Sequence, residues 1–123
     1  MRPAKAYKNT NINTASRGDL VVMLYDGFLR YANQAVTAIG DQDPARTGKF
    51  IGKAMAIVQE LAASLNPEPN PELAKSLEAL YFFVEDQLLK ANQRRDPERV
   101  LSCIHIMKDL RDAWAEAARM VNV

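Results

Sequence analysis

Three short stretches of the sequence share one pattern, and each is typical of the start of an α-helix. They read DPAR from Asp43, NPEL from Asn70 and DPER from Asp96. The Asp or Asn side chain can accept a hydrogen bond from a free backbone N–H group of the first turn. The proline that follows has no N–H group to leave unpaired, and its φ is already helical. A fourth start reads SRGD, with Ser16 as the capping residue, so the sequence predicts four helices.

The segments between these starts repeat their apolar residues with the period of a helix. We place the helices at about 16–39, 43–65, 70–94 and 96–121. No segment alternates between apolar and polar residues as a half-buried strand does. The connections are short, so consecutive helices must run antiparallel. The predicted fold is all-α, an up-down-up-down four-helix bundle over residues 16–123, preceded by a non-helical N-terminal arm of residues 1–15.

Each predicted helix has a set of core positions. In the first helix they are Leu20, Leu24, Phe28, Tyr31, Ala35 and Ile39. In the third they are Leu73, Leu77, Leu80, Tyr81, Val84, Leu88 and Ala91. In the fourth they are Val100, Leu101, Ile104, Met107, Leu110, Trp114, Ala117 and Val121.

Two weak helix formers, Asp26 and Gly27, stand together inside the first helix. Glycine in a helix interior costs about 0.5–1 kcal/mol relative to alanine. Because glycine has no Cβ, it lets a neighbouring backbone or a large side chain approach closely. We interpret Gly27 as a packing position for Tyr81 or Trp114. A second interpretation, that the space is kept for another protein chain, stays open.

Apolar residues also occur outside the predicted core positions. They are Val21, Val22, Tyr25, Leu29 and Val36 in the first helix, Met55 and Ala62 in the second, and Phe82, Phe83 and Leu89 in the third. A helix of a small isolated bundle usually has a polar outer face. These residues either widen the core and leave a few apolar side chains exposed, which is normal, or form a groove for an amphipathic helix of a partner.

The composition argues against several classes of function. Sixteen basic and 15 acidic residues give a net charge of +1, whereas a nucleic-acid-binding protein usually has a basic patch. No apolar run approaches the roughly 20 residues of a membrane span. Cys103 is the single cysteine, so an internal disulfide cannot form and the cytosol is the expected compartment. One cysteine and one histidine provide neither a convincing metal cluster nor a catalytic pair, so we expect no cofactor and no enzyme activity.

His105 is the residue that suggests an alternative function. A histidine phosphotransfer domain is also a four-helix bundle with one exposed histidine, and Lys108 has the expected spacing. However, Asp109 stands where that pattern has glycine, and His105 is in the last helix rather than an inner one. A small helical enzyme such as a mutase is a weaker alternative, because the predicted core lacks the Arg and Glu residues of a polar pocket.

Four stretches together resemble the flagellar secretion chaperone FliS family. They are AYKNTNINTAS (Ala6–Ser16), LYDGFLRYANQA (Leu24–Ala35), LEALYFFVEDQLLKAN (Leu77–Asn92) and LRDAWAEA (Leu110–Ala117). The stretches occur in the family's order and cover nearly the whole chain. The residues that carry the family pattern are Leu24, Asp26, Gly27, Leu80, Tyr81, Leu88, Asn92 and Trp114.

The resemblance implies a cytoplasmic export chaperone with a helical-bundle fold. Members bind the disordered C-terminal segment of flagellin in hydrophobic grooves, prevent its premature polymerisation and help to deliver it to an export-gate component of the flagellar type III apparatus. The resemblance implies no enzyme activity, cofactor, metal, nucleic acid or membrane insertion, and it leaves a weak homodimer open.

The resemblance also assigns residues to the flagellin site. It favours the groove interpretation for the apolar residues outside the core, which gives Val21, Tyr25, Leu29, Met55, Phe82, Phe83 and Leu89 as groove residues. In the family, an N-terminal segment containing a tyrosine can fold over part of this site. Tyr7 and Ile12 are the matching residues of the arm.

Overall fold

The computed structural model describes residues 17–121, which form four helices and no strand. They are α1 (Arg17–Gly40), α2 (Pro44–Ala63), α3 (Pro71–Arg94) and α4 (Pro97–Val121). The all-α prediction is confirmed, and the predicted helix ends agree within about two residues, the usual uncertainty of a helix boundary. The arm of residues 1–15 and the predicted cap Ser16 lie outside the described residues.

The three Asx-Pro starts have the predicted capping geometry. The side chains of Asp43 and Asn70 each accept a hydrogen bond of 3.1 Å from the backbone N–H three residues later. Asp96 accepts one of 3.0 Å from the N–H two residues later. A proline occupies the first position of α2, α3 and α4. These contacts satisfy N–H groups that have no partner within the helix.

The helices follow one another around the bundle. Each of α1 and α3 packs against both α2 and α4, and the diagonal helix pairs have no close backbone approach. Gln42 and Arg95 adopt left-handed backbone conformations, with φ of 53° and 52°, in the α1–α2 and α3–α4 connections. Such residues end a helix and reverse the chain, which produces the up-down-up-down order.

The buried face of α1 differs from the predicted one. Tyr25 and Ala32 are fully buried, whereas Leu24 and Tyr31 are half-buried and Leu20 is 41% exposed. Phe28 and Ala35 are fully buried as predicted, so the pattern of large apolar residues identified only part of the core face. Alanines form much of the real face, because α1 packs against two neighbours and small side chains allow both to come close.

Asp26 and Gly27 contact different neighbouring helices. A Cβ atom on Gly27 would lie 3.1 Å from Ile57 Cδ1 of α2. Asp26 Oδ1 accepts a hydrogen bond of 2.8 Å from Arg111 Nε of α4. Close packing at Gly27 is confirmed, but the predicted neighbours, Tyr81 and Trp114, are wrong, because Gly27 faces α2.

Candidate functional site

A cavity of about 670 Å³ opens at the end of the bundle where α1 and α3 begin and α2 and α4 end. Its volume lies within the range of binding pockets in proteins, about 300–1,000 Å³. Six leucine side chains contributed by α1, α2, α3 and the α2–α3 connection form part of its wall. These are Leu20, Leu24, Leu61, Leu65, Leu73 and Leu77.

Small residues at the helix ends leave this space unfilled. Gly18, Ala74, Ala117 and Ala118 all line the cavity, where larger side chains would close it. Polar groups such as that of Asn66 occur in the α2–α3 connection at its edge. The site is therefore an apolar cavity bordered by polar groups, an arrangement that suits the apolar face of a peptide better than a charged ligand.

Leu20 and Leu73 line this cavity with exposed side chains, although the sequence pattern assigned them to the core. Leu20 is 41% exposed and Leu73 is 49% exposed. Their core assignment is wrong, because their side chains line the open cavity at this end of the bundle. Within residues 17–121, no side chain covers this apolar surface.

The buried side of the cavity is formed by Tyr81 and Trp114. The hydroxyl oxygen of Tyr81 lies 2.5 Å from that of Tyr25. Burial is the main cause that raises the pKa of both phenols. At Tyr25 the hydrogen bond with Tyr81 raises the pKa further, whereas hydrogen bonding by Trp114 lowers it. Both tyrosines therefore stay neutral at physiological pH and keep their hydroxyl hydrogens.

Three of the predicted groove residues are exposed on α3. Phe82 is 64% exposed, and Phe83 and Leu89 are each 47% exposed. Phe82 and Leu89 are seven residues apart and share a flank of the helix. Phe83 is four residues before Gln87, whose side chain accepts a hydrogen bond of 2.9 Å from Arg99 of α4. Phe83 thus lies on the α4 side of α3, and Phe82 lies on the α2 side.

The half-buried rings of Tyr31 and Phe50 are covered by cations, whereas the exposed rings of α3 are not. Tyr31 and Phe50 stack with ring centroids 6.4 Å apart. The charged ends of four basic residues lie over these two rings at 5.2–5.9 Å, namely Arg30, Arg46, Lys49 and Lys53. Phe82 and Phe83 have no such contact with any residue in 17–121, so their rings are free to contact a partner.

The other predicted groove residues lie in different places. Val21 lines the cavity, and Leu29 and Met55 are half-buried beside the core. Tyr25 was predicted to face a partner, but it is fully buried; this placement is corrected, because its side chain points to the bundle centre. Tyr7 and Ile12 lie outside the described residues.

The cavity was not predicted, because a helical pattern of apolar residues does not show which of them line an open space at the end of the bundle. The small residues Gly18, Ala74, Ala117 and Ala118, opposite leucines at the same end of the bundle, were the available signal. They were not recognised because alanine is equally common in a tightly packed core.

His105 and Cys103 have ordinary structural environments. The His105 side chain is 81% exposed, and its Nε2 is 3.7 Å from Asp109 Oδ2. Cys103 is buried, and burial raises the pKa of its thiol to about 11, so it is not a reactive thiolate. The described part of the chain contains no metal-binding group of His, Cys, Asp or Glu. It also contains no helix long and apolar enough to cross a membrane.

Comparison with known proteins gives one consistent result. The family model described as flagellar protein FliS matches residues 1–121. The flagellar secretion chaperone FliS of Bacillus subtilis is 36% identical over 115 residues, which cover 94% of this chain and 85% of that protein. The protein of the same name from Escherichia coli is 35% identical over 107 residues, or 86% and 79% of the two chains. That from Vibrio cholerae is 30% identical over 114 residues, or 89% and 84%.

Proposed function

Because this chain belongs to the FliS family of flagellar secretion chaperones, we propose that it binds the C-terminal segment of flagellin in the cytoplasm before export. The observation that carries the proposal is the uncovered apolar surface at one end of the bundle, where Leu20 and Leu73 line an open cavity. Phe82 and Phe83 add exposed apolar surface on two sides of α3. Such surface on a small protein is typical of a protein-binding site.

An amphipathic segment that folds on binding fits this surface. Ordering a disordered partner costs about 2–5 kcal/mol or more. Apolar burial contributes about 25 cal/mol per Å², so a contact that extends from the cavity along α3 offsets that cost. Holding the segment in this way would keep flagellin from polymerising and leave it ready for transfer to an export-gate component.

The N-terminal arm has a role in the same proposal. Arg17, the first described residue, lines the cavity, so the arm is covalently joined to the chain beside this site. We assign Tyr7 and Ile12 to covering the cavity in the free protein, where they would protect apolar surface that otherwise favours self-association. A weak homodimer would use the same surface, chiefly the exposed rings of α3.

Calorimetry with flagellin tests the proposal. Full-length flagellin should bind, and flagellin that lacks its last few dozen residues should not. Flagellin truncated at its N-terminus to the same extent is the matched control and should retain binding. Equal binding to both truncated forms, or no binding to the full-length protein, would show that the assignment to the C-terminal segment is wrong.

A further inference from the structure

The hydroxyl groups of Tyr25 and Tyr81 contain one hydrogen more than their mutual bond uses. Each phenol can donate one hydrogen bond and accept two. Only one of the two hydrogens can lie between the oxygens, which are 2.5 Å apart. The second has no acceptor among residues 17–121, although Tyr25 is fully buried and Tyr81 is 2% exposed.

Of the two phenols, Tyr81 is the one that reaches the binding cavity. Tyr81 forms part of the cavity wall, together with Trp114 and Leu77, and Tyr25 does not. If Tyr25 donates to Tyr81, the hydrogen without an acceptor belongs to Tyr81, the residue of the pair that forms part of the cavity wall. A buried donor without an acceptor is costly in free energy, so a group that accepts this hydrogen is favoured there.

We propose that Tyr81 donates a hydrogen bond to the flagellin segment bound in the cavity, and that Tyr25 positions the Tyr81 hydroxyl for this bond. The bound part of the segment must then carry an acceptor between its apolar residues. If that part is helical, its internal carbonyls are already paired. The acceptor is then an Asn, Gln, Ser or Thr side chain, or a carbonyl of the last helical turn. This inference rests on the proposed function.

The consequence is selectivity among apolar segments. A wholly apolar segment would fill the cavity but leave the Tyr81 hydrogen buried without an acceptor. A site that provides a hydrogen bond discriminates strongly against a ligand that lacks the matching group. The Tyr25–Tyr81 pair therefore makes the cavity specific for one kind of amphipathic sequence rather than for apolar surface in general.

Two variants test this role, and both remove the hydrogen bond between Tyr25 and Tyr81. Tyr81→Phe removes both the bond to Tyr25 and the donor at the cavity, whereas Tyr25→Phe removes the bond between the tyrosines and the hydroxyl that Trp114 bonds but keeps the Tyr81 donor. Calorimetry with a peptide of the flagellin C-terminal segment should give an affinity about three- to tenfold weaker for Tyr81→Phe. Tyr25→Phe should lose less than Tyr81→Phe, and Tyr31→Phe, which lies outside the cavity, should match the wild type.

A second measurement keeps the test decisive if Tyr81→Phe is poorly folded. Polar residues of the peptide are replaced one at a time by alanine and tested against the wild-type protein and against Tyr25→Phe, which keeps the Tyr81 donor. One replacement should weaken binding to both proteins, because both donate the hydrogen bond from Tyr81. Equal losses for Tyr25→Phe and Tyr81→Phe, or no sensitive peptide position, would overturn the inference. If the wild type does not bind the peptide at all, the proposed function is itself wrong.

Discussion

The hydroxyl oxygens of Tyr25 and Tyr81 lie 2.5 Å apart and join α1 to α3 across the centre of the bundle. The backbones of these two helices do not otherwise approach closely. Two long aromatic side chains therefore span a diagonal that aliphatic side chains would leave partly empty. The pair combines packing of two large rings with a hydrogen bond between their polar ends.

This pair predicts a loss of stability at high pH. Burial raises the pKa of both phenols in the folded protein, whereas in the unfolded chain they titrate near pH 10. Above about pH 10 the unfolded state binds fewer protons than the folded state, so the free energy of unfolding falls as pH rises. The fall is up to about 1.4 kcal/mol per pH unit for each tyrosine.

Urea unfolding between pH 8 and pH 11 measures this effect. The full stabilisation is present below pH 10 and decreases above it. A Tyr25→Phe/Tyr81→Phe double variant is the control, because it keeps the rings and removes the titrating groups. The prediction fails if the wild type and the double variant show the same dependence of unfolding free energy on pH above 10.

The helices could be predicted from the sequence because their signals are local. Asp43, Asn70 and Asp96 act within one turn of their own helix, so the sequence alone contains the interaction. The neighbour of Gly27 could not be predicted, because the angle at which α1 faces α2 depends on packing across the whole bundle. The cavity could not be predicted for the same reason, since Leu20 and Leu73 have the pattern of core residues but line an open space at the end of the bundle.

Gly27 should not tolerate a large side chain. A Cβ atom at this position would already lie 3.1 Å from Ile57 Cδ1, and leucine adds three further carbon atoms. We expect Gly27→Leu to lower the free energy of unfolding by about 1–3 kcal/mol through overpacking. The measurement is the midpoint of chemical denaturation.

A second glycine provides the matched control for this prediction. Gly52 is an exposed helical residue of α2, and a Cβ atom added to it would have no neighbouring atom within 4 Å. Gly52→Ala should raise stability by about 0.5–1 kcal/mol, because alanine is the better helix former. A denaturation midpoint above that of the wild type for Gly27→Leu would show that Gly27 is not closely packed.

The leucines of the cavity should contribute to partner binding more than equally exposed leucines elsewhere. Leu20→Ser or Leu73→Ser should weaken the affinity for the flagellin C-terminal segment about fivefold, which corresponds to about 1 kcal/mol of lost apolar contact. Leu101 is 41% exposed, as is Leu20, but it does not line the cavity. If Leu101→Ser weakens binding as much as Leu20→Ser does, the cavity is not the site.

His105 should not take part in phosphate transfer. It is exposed, but Asp109 lies 3.7 Å away and would repel an incoming phosphoryl group. The expected result is that radiolabelled phosphate does not pass from a phosphorylated response regulator to this protein. Transfer that occurs with the wild type and disappears with His105→Gln would contradict the prediction.

Removal of the arm should alter the free protein more than it alters the complex. If Tyr7 and Ile12 cover the cavity, deletion of residues 1–14 removes a competitor, so the affinity for flagellin should be kept or slightly increased. The uncovered leucines should then promote self-association, which light scattering of the free protein detects. Hydrogen exchange should become faster in the first turns of α1 and α3, which border the cavity.

The Tyr7→Ser/Ile12→Ser variant distinguishes the effect of losing the two apolar side chains from the effect of shortening the arm. It keeps the full length of the chain, so any change that it shares with the truncated protein comes from those two side chains. Addition of the flagellin segment should reverse the self-association of both variants, because the segment occupies the same cavity. Unchanged exchange and unchanged scattering in both variants would show that the arm has no contact with the cavity.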